Sequence, residues 1–406
     1  MKLGYAVLTL AAFLAAAGTG AAAVTSEAPA CRALAAHLDA APPGPVFLAS
    51  YPGAPLGPLH ETAFLYDNAA AAIALIGCGE AGKARRIGEA ILAVLDRDRF
   101  WHDGRLRNAY AAGTVGPGSA RLPGWWDQEK NIWVEDRYQV GSDNGNMAWA
   151  MLALLALDRA TGETVWRDGA ARIGHWVAGF GDDHGPGGFR GGTFSHEPSP
   201  EALSWKSTEH NTDLFAAFAT LYAATGDAVW KARADHARSF VDSLWLGTHF
   251  GAGAAEDGIT PNPFLALDAQ IWPALAVPGV AARHGEAIQT ALARLAEKDG
   301  YAYGEAKGGA WTEGTAQAAL LMALWNKDAV AGNLLHKIAE QRAPDGYYFA
   351  APAGQIPTGF MLQTDPAKPR LYFHLPHLGA TAWAALAQTG FNPFTGTHAL
   401  PGPDAN

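Results

Sequence analysis

The sequence predicts an all-α protein, six helical hairpins closed into an (α/α)6 barrel with long loops at its mouth. Three observations carry this expectation. The chain repeats itself: ALLALDRATGETVWRDGAARIGHWV is matched 64 residues later by AFATLYAATGDAVWKARADHARSFV, with Thr161-Gly162, Val165-Trp166 and Val177 answered by Thr225-Gly226, Val229-Trp230 and Val241. Self-similarity at a fixed period marks a repeat architecture. Second, Ala-rich helices that are apolar on most faces recur along the chain, as helices in the middle of a large protein should be. Third, each of these helices opens on a cluster of polar side chains.

The elements follow in order. Six inner helices are expected at residues 61–77 (ETAFLYDNAAAAIALIG), from 143 (SDNGNMAWAMLALLAL), from 204 (SWKSTEHNTDLFAAFATLYAATGD), at 265–276 (LALDAQIWPALA), at 311–325 (WTEGTAQAALLMALW) and at 375–390 (LPHLGATAWAALAQTG). More charged partner helices follow at 83–95, 165–177, 229–244, 284–298 and 327–341, and the sixth partner is expected near the N-terminus at 32–38. Thr-Gly followed by Asp or Glu marks the break inside the repeated hairpins. One short strand is expected at 347–350. An open solenoid is the competing layout; polar helix starts that converge at one end favour the closed ring.

Residues 1–23 read as a secretory leader, with Lys2, an apolar run over 5–17 and the small residues Ala21, Ala22 and Ala23 at a cleavage site. Residues 24–406 are then expected to form one exported domain, periplasmic or extracellular. No other segment reaches the apolar length of a membrane span. The net charge of −10 and the scattered basic residues argue against a nucleic-acid partner. The glycine-rich stretches follow no strand of a βαβ unit, so no dinucleotide cofactor is expected. There is no HExxH or CxxC, and the HxxH of His374 and His377 reads as a polar helix start, so no metal is expected either. Cys31 and Cys78 are either bridged or two buried thiols; the sequence leaves both open.

The helix starts hold the candidate chemistry. Ser, Thr, Asp and Asn cap helices, and capping alone explains any one of these residues. It does not require Glu, His, Asn and Trp together at most starts. Asp67 reads as lying two turns inside its helix, beyond the reach of a cap, and Asp268 similarly. Glu209 is the expected general acid, beside Trp205, His210 and Asn211. Asp67 and Glu313 are the favoured bases, with Asp143 and Asp268 as further candidates. Trp205, His210, Asn211, Asp143, Asp268, Gln270, Trp272, Trp311 and Trp126 are expected to hold substrate, because aromatic faces beside carboxylates and amides suit pyranose rings.

LYDNAAAAIAL, GNMAWAMLAL, STEHNTDLFAAF, LDAQIWPALA, WTEGTAQAAL and LGATAWAALAQTGFNPF together resemble the six-hairpin glycosidase superfamily over nearly the whole chain. That resemblance implies acid and base carboxylates at inner-helix ends. It also admits lyases, epimerases and phosphorylases, since fold does not fix the reaction. The expected function is a secreted glycoside hydrolase acting on a neutral or weakly charged polysaccharide or oligosaccharide. One alternative is a lyase in which His210 or a tyrosine takes the C5 proton and Asn211 neutralises a uronate. Another is a non-catalytic glycan-binding accessory protein of a polysaccharide export system.

Overall fold

A helix that is apolar all round is stable only when other helices surround it. The computed structural model describes residues 27–402; the leader expected at 1–23 lies outside the described residues. In chain order the helices are α1 (Pro29–Ala40), α2 (Leu65–Gly77), α3 (Ala81–Asp96), α4 (Asn144–Thr161), α5 (Val165–Val177), α6 (Thr208–Thr225), α7 (Ala228–Ser243), α8 (Asp268–Ala276), α9 (Val280–Arg294), α10 (Thr312–Leu324), α11 (Asp328–Ala339) and α12 (Leu378–Thr389). The even-numbered helices are the apolar ones. α4 is buried without a break from Asn144 to Leu157, and α10 from Thr312 to Met322.

The even helices pack side by side, α2 on α4, α4 on α6, α6 on α8, α8 on α10, α10 on α12, and α12 back on α2, so the ring closes. The odd helices lie outside and bury one stripe. In α5 that stripe is Trp166, Gly169, Ala170, Ile173, Gly174 and Val177, the spacing of one helix face. The outer partner of α12 is α1, as expected from residues 32–38, so the first and last helices of the described residues form one hairpin. Cys31 of α1 is bridged to Cys78, the C-cap of α2, with Cα atoms 5.7 Å apart. This settles the pairing the sequence left open.

The repeated Thr-Gly breaks behave as the sequence requires. Gly162 and Gly226 end α4 and α6 at φ 72° and 70°, a conformation that costs glycine little. Asp227 then caps α7 by accepting the Val229 N–H at 3.0 Å. Its counterpart Glu163 pairs with Arg85 instead.

Two expectations need correction. The first inner helix does not begin at 61: Thr62–Phe64 is a strand paired with Ala109–Ala111, and α2 starts at Leu65. Asp67 therefore lies in the first turn, and Asp268 is the first residue of α8. The second concerns the strands. The one expected near 347–350 is present at Tyr348–Phe349. A longer antiparallel hairpin, Gln355–Leu362 with Asp365–Phe373, was not expected. Irregular pairing around Thr358–Phe360, where Gly359 has φ 86°, breaks its alternation.

Each inner helix holds its mouth loop by the same device. Asn68, Asn211 and Gln270 each donate to the carbonyl four residues back and grip one loop residue through both its N–H and its C=O, at Leu48, Phe189 and Phe250. Thr315 and Thr381 donate to the same carbonyl position and accept from the N–H groups of Tyr301 and Tyr348. In α4 the place is taken by Met147, whose Sδ accepts from the Leu106 N–H at 3.3 Å. These bonds set all six helices in a common register.

Candidate active site

The register shows which side chains meet. Two residues before the loop-gripping position stand Tyr66, Gly145, Glu209, Asp268, Glu313 and Gly379, the layer facing the barrel mouth. Three carboxyl groups thus occupy equivalent places on α6, α8 and α10. One turn deeper, and so on the same face, come Ala70, Trp149, Asp213, Trp272, Gln317 and Trp383. The three tryptophans pack together, with ring centroids 5.4 Å (Trp149–Trp272), 5.7 Å (Trp149–Trp383) and 6.1 Å (Trp272–Trp383) apart. They form the floor of the cleft.

The two glycines of the mouth layer create room. A Cβ on Gly379 would stand 2.7 Å from Asp67 Oδ1, 2.8 Å from Glu313 Oε2 and 2.9 Å from the His377 ring. One on Gly145 would meet the His210 ring at 2.4 Å. Close approach of α12 to α2 and α10 depends on the first, and the seat of His210 on the second.

Glu313 is the best-defined carboxylate. Tyr66 donates its hydroxyl to Glu313 Oε1 at 2.5 Å and accepts from Trp383 Nε1 at 2.7 Å. Glu313 Oε2 has no hydrogen-bond partner within the protein. Burial pushes the Glu313 carboxyl up to about 7, with His377 pulling the other way. His377 caps α12 by accepting the Ala380 N–H on Nδ1 at 3.2 Å. That bond places the proton of the neutral ring on Nε2, 3.4 Å from Asp67 Oδ2. Burial works against a charge on His377, but Asp67 and Glu313 outweigh it and hold its pKa above the ordinary value. Tyr51 stacks on the same ring at 4.4 Å.

Glu209 and Asp268 are in hydrogen-bond contact, which two carboxyl groups make only by sharing a proton. Both are raised by burial first. Asp268, the more buried, is raised further by the charge of Glu209. Asp213, one turn below Glu209, is raised well above the ordinary carboxyl range by burial and by Glu209. Asp143 is pushed up to about 7 by burial. Burial and the charge of Arg370 bring His210 down to about 4, so it is a neutral base near pH 7.

Of the expected site residues, Glu209, Asp268 and Glu313 converge directly. Asp67 reaches Glu313 through His377. Asp143 and His210 belong to the same mouth, and Trp205 packs against His210 at 5.5 Å. Trp311 is buried behind Tyr372, stacked at 5.3 Å. Two assignments are corrected. The amides of Asn211 and Gln270 are consumed in gripping Phe189 and Phe250, so neither is free to hold a sugar. Trp272 lies in the floor of the cleft, beside Trp149 and Trp383. Trp126 stands 47% exposed on the hairpin Trp125–Asp127/Ile132–Val134, opposite Trp133.

The sequence reading missed Tyr51, Tyr303, Tyr372 and Arg370, and gave Tyr66 and His377 no catalytic part. Tyr372 and Arg370 come from the unexpected hairpin. Tyr66, Gly145 and Gly379 were within reach: aligning the helices on Asn68, Asn211 and Gln270 puts them level with Glu209. Asp67, Glu313 and His377 also offer ligand atoms within 4.8 Å of one another, a set able to take a divalent cation. Tyr66 and the α12 cap already engage one atom each on Glu313 and His377, leaving Asp67 and Glu313 Oε2 as the open donors.

No protein-family profile and no curated protein matches the sequence. Solved structures do match. A glycosidase variant in complex with glucose is similar at 15% identity and TM-score 0.59, over 89% of this chain and 96% of that one. The cellobiose 2-epimerase of Spirochaeta thermophila is similar at 13% identity and TM-score 0.60, over 88% and 92%. The GH76 α-mannanase of Bacteroides thetaiotaomicron is similar at 12% identity and TM-score 0.53, over 89% and 94%. The chain shares the (α/α)6-barrel fold of these enzymes. At these identities the likeness extends to the fold and no further.

Proposed function

We propose that this protein is a glycoside hydrolase acting on a neutral or weakly charged glycan. The observation that carries the reading is the alignment of three carboxyl groups in one layer of the mouth, two sharing a proton and the third with an open oxygen. Glycoside cleavage needs one carboxyl to protonate the leaving oxygen and another to activate water or attack. The Glu209–Asp268 pair supplies the proton, with Glu209, less buried than Asp268, presenting it. Glu313, oriented by Tyr66, serves as base through Oε2. Asp67 and His377 position Glu313. The tryptophan floor and Trp205 offer apolar faces to the sugar. Export through a leader ending near residue 23 belongs to this reading, and the Cys31–Cys78 bridge suits an oxidising compartment.

The test is a product screen of the purified protein against α- and β-glucans, mannans and bacterial exopolysaccharides. New reducing ends from the wild type, lost in Glu209→Gln and in Glu313→Gln, are expected. Glycan binding without cleavage by the wild type would overturn the reading and leave a binding protein.

One observation favours a second reading. Neutral His210, its Nδ1 unpartnered, is suited to taking a carbon-bound proton, as in a lyase. An unsaturated, ultraviolet-absorbing product abolished by His210→Ala would select it. Asn211 cannot neutralise a uronate in that reaction, because its amide is fully engaged.

A further inference from the structure

Arg370 has no role in the chemistry above, yet it stands among the reacting groups. It lies on the strand Asp365–Phe373, two residues from Tyr372 and so on the same face of that strand. Tyr372 stacks on Trp311 and lies 6.1 Å from the His377 ring, which fixes that face toward the mouth. The Arg370 guanidinium sits 5.7 Å over the Tyr138 ring. Tyr138, Tyr303, Tyr372 and Glu209 are its electrostatic neighbours, and it acts in turn on Asp143, His210 and Glu313. Arg370 is solvent-exposed, so its guanidinium is accessible.

A guanidinium placed merely to balance the acids of the mouth would close on one of them, since the bidentate pair is the strong arrangement. Arg370 does not. Among the described residues no carboxylate comes within 4.0 Å of it and its guanidinium makes no hydrogen bond, while its backbone carbonyl accepts from Thr358 Oγ1. Lys206, by contrast, is buried against Asp182, Arg107 against Asp98 and Glu197, and Arg137 pairs with Glu201. Arg370 thus offers an unused planar fork of donors beside the catalytic layer, walled by tyrosines.

The geometry points to a substrate with one carboxylate-bearing sugar at the cleavage site, a uronate residue within an otherwise neutral glycan, held by the Arg370 guanidinium. A planar fork matches a carboxylate bidentately. A single cation suits one such group, not a polyanion or a doubly charged phosphate ester. The proton shared by Glu209 and Asp268 and the one held by Asp213 reduce the repulsion an anionic sugar would otherwise meet. This inference rests on the reading of the mouth as a sugar-cleaving site and names the sugar it takes.

Binding tests it independently of cleavage. Methyl glycosides of glucuronate, galacturonate and mannuronate, each anomer beside its neutral hexose counterpart, are titrated into wild type, Arg370→Lys and Arg370→Ala by calorimetry or ligand-observed NMR. At least one uronide is expected to bind about tenfold or more tighter than its neutral counterpart, the scale of a charge-assisted hydrogen-bonded contact. Raised salt should weaken the preference. Arg370→Ala should erase it without weakening the neutral sugar, and Arg370→Lys should keep part of it. Equal binding of every pair by the wild type, or a preference that survives in a folded Arg370→Ala, overturns the inference. Hydrolysis of neutral glycans together with equal binding would sink this inference alone. Uronide preference without any hydrolysis would instead sink the hydrolase reading.

Discussion

Tyr66→Phe removes a single oxygen from the site. That oxygen donates to Glu313 Oε1 at 2.5 Å and accepts from Trp383 Nε1 at 2.7 Å. A hydrogen bond to a charged group contributes about 1.5–3 kcal/mol, and one pH unit corresponds to about 1.4 kcal/mol. The bond stabilises the ionised form of Glu313. Its loss should raise the Glu313 pKa from about 7 by roughly 1–2 units, with little screening because the group is buried. If ionised Glu313 is the base, the acid limb of the kcat/KM–pH profile shifts upward by that amount. At pH 7 the ionised fraction, and with it the rate, falls about fivefold to fiftyfold, and raising the pH restores much of it. The orphaned Trp383 N–H lowers stability by about 1–3 kcal/mol, so the profile is recorded below the onset of unfolding. An unmoved acid limb, or a loss of rate that is the same at every pH, refutes the assignment of Glu313 as the base.

Other perturbations separate positioning from chemistry. Gly379→Ala drives a methyl group to within 2.9 Å of Asp67, Glu313 and His377; it should cost about 1–3 kcal/mol in denaturant unfolding and reduce kcat more than it raises KM. Asn211→Ala leaves the buried Phe189 N–H and C=O without their partner; thermal unfolding should show a loss of about 2–4 kcal/mol, while the folded fraction keeps its KM, which a sugar-binding role for Asn211 would not allow. Cys31→Ser with Cys78→Ser opens a loop with a sequence separation of 47; the loop-entropy relation sets the loss at about 4 kcal/mol, measured against the oxidised wild type. Stability should also depend on pH with a definite sign. The carboxyl groups of Asp143, Glu209, Asp213, Asp268 and Glu313 are all raised, so the folded state holds protons that the unfolded chain releases, and stability falls as pH climbs from the ordinary carboxyl range through the raised values. His377, raised in the folded state, contributes stability that is full below its unfolded value and is lost as pH rises through the folded one. Both effects act together and outweigh His210, whose lowered pKa works the other way over this range, so the melting temperature of the free protein should be higher at pH 5 than at pH 8; the opposite order would contradict the site electrostatics.

Local pattern was enough for the barrel. Apolar periodicity, Thr-Gly breaks and acidic helix starts are short-range signals, and a helix apolar on every face can be satisfied only by a ring of neighbours. The same patterns marked Glu209, Asp268 and Glu313, because capping alone does not account for carboxylates beside His, Asn and Trp. Long-range geometry decided the rest. Whether an amide at a helix start meets a sugar or a loop depends on what packs above it, so Asn211 and Gln270 read as ligands until Phe189 and Phe250 were seen in their grip. Gly145 and Gly379 matter for the space they leave, and space exists only between elements brought together by folding. The hairpin carrying Arg370 and Tyr372 escaped notice because a bulge and several prolines blur its alternation. Proton sharing between Glu209 and Asp268, and the elevation of Glu313, arise from burial and from charges on other helices, quantities with no local trace in the chain.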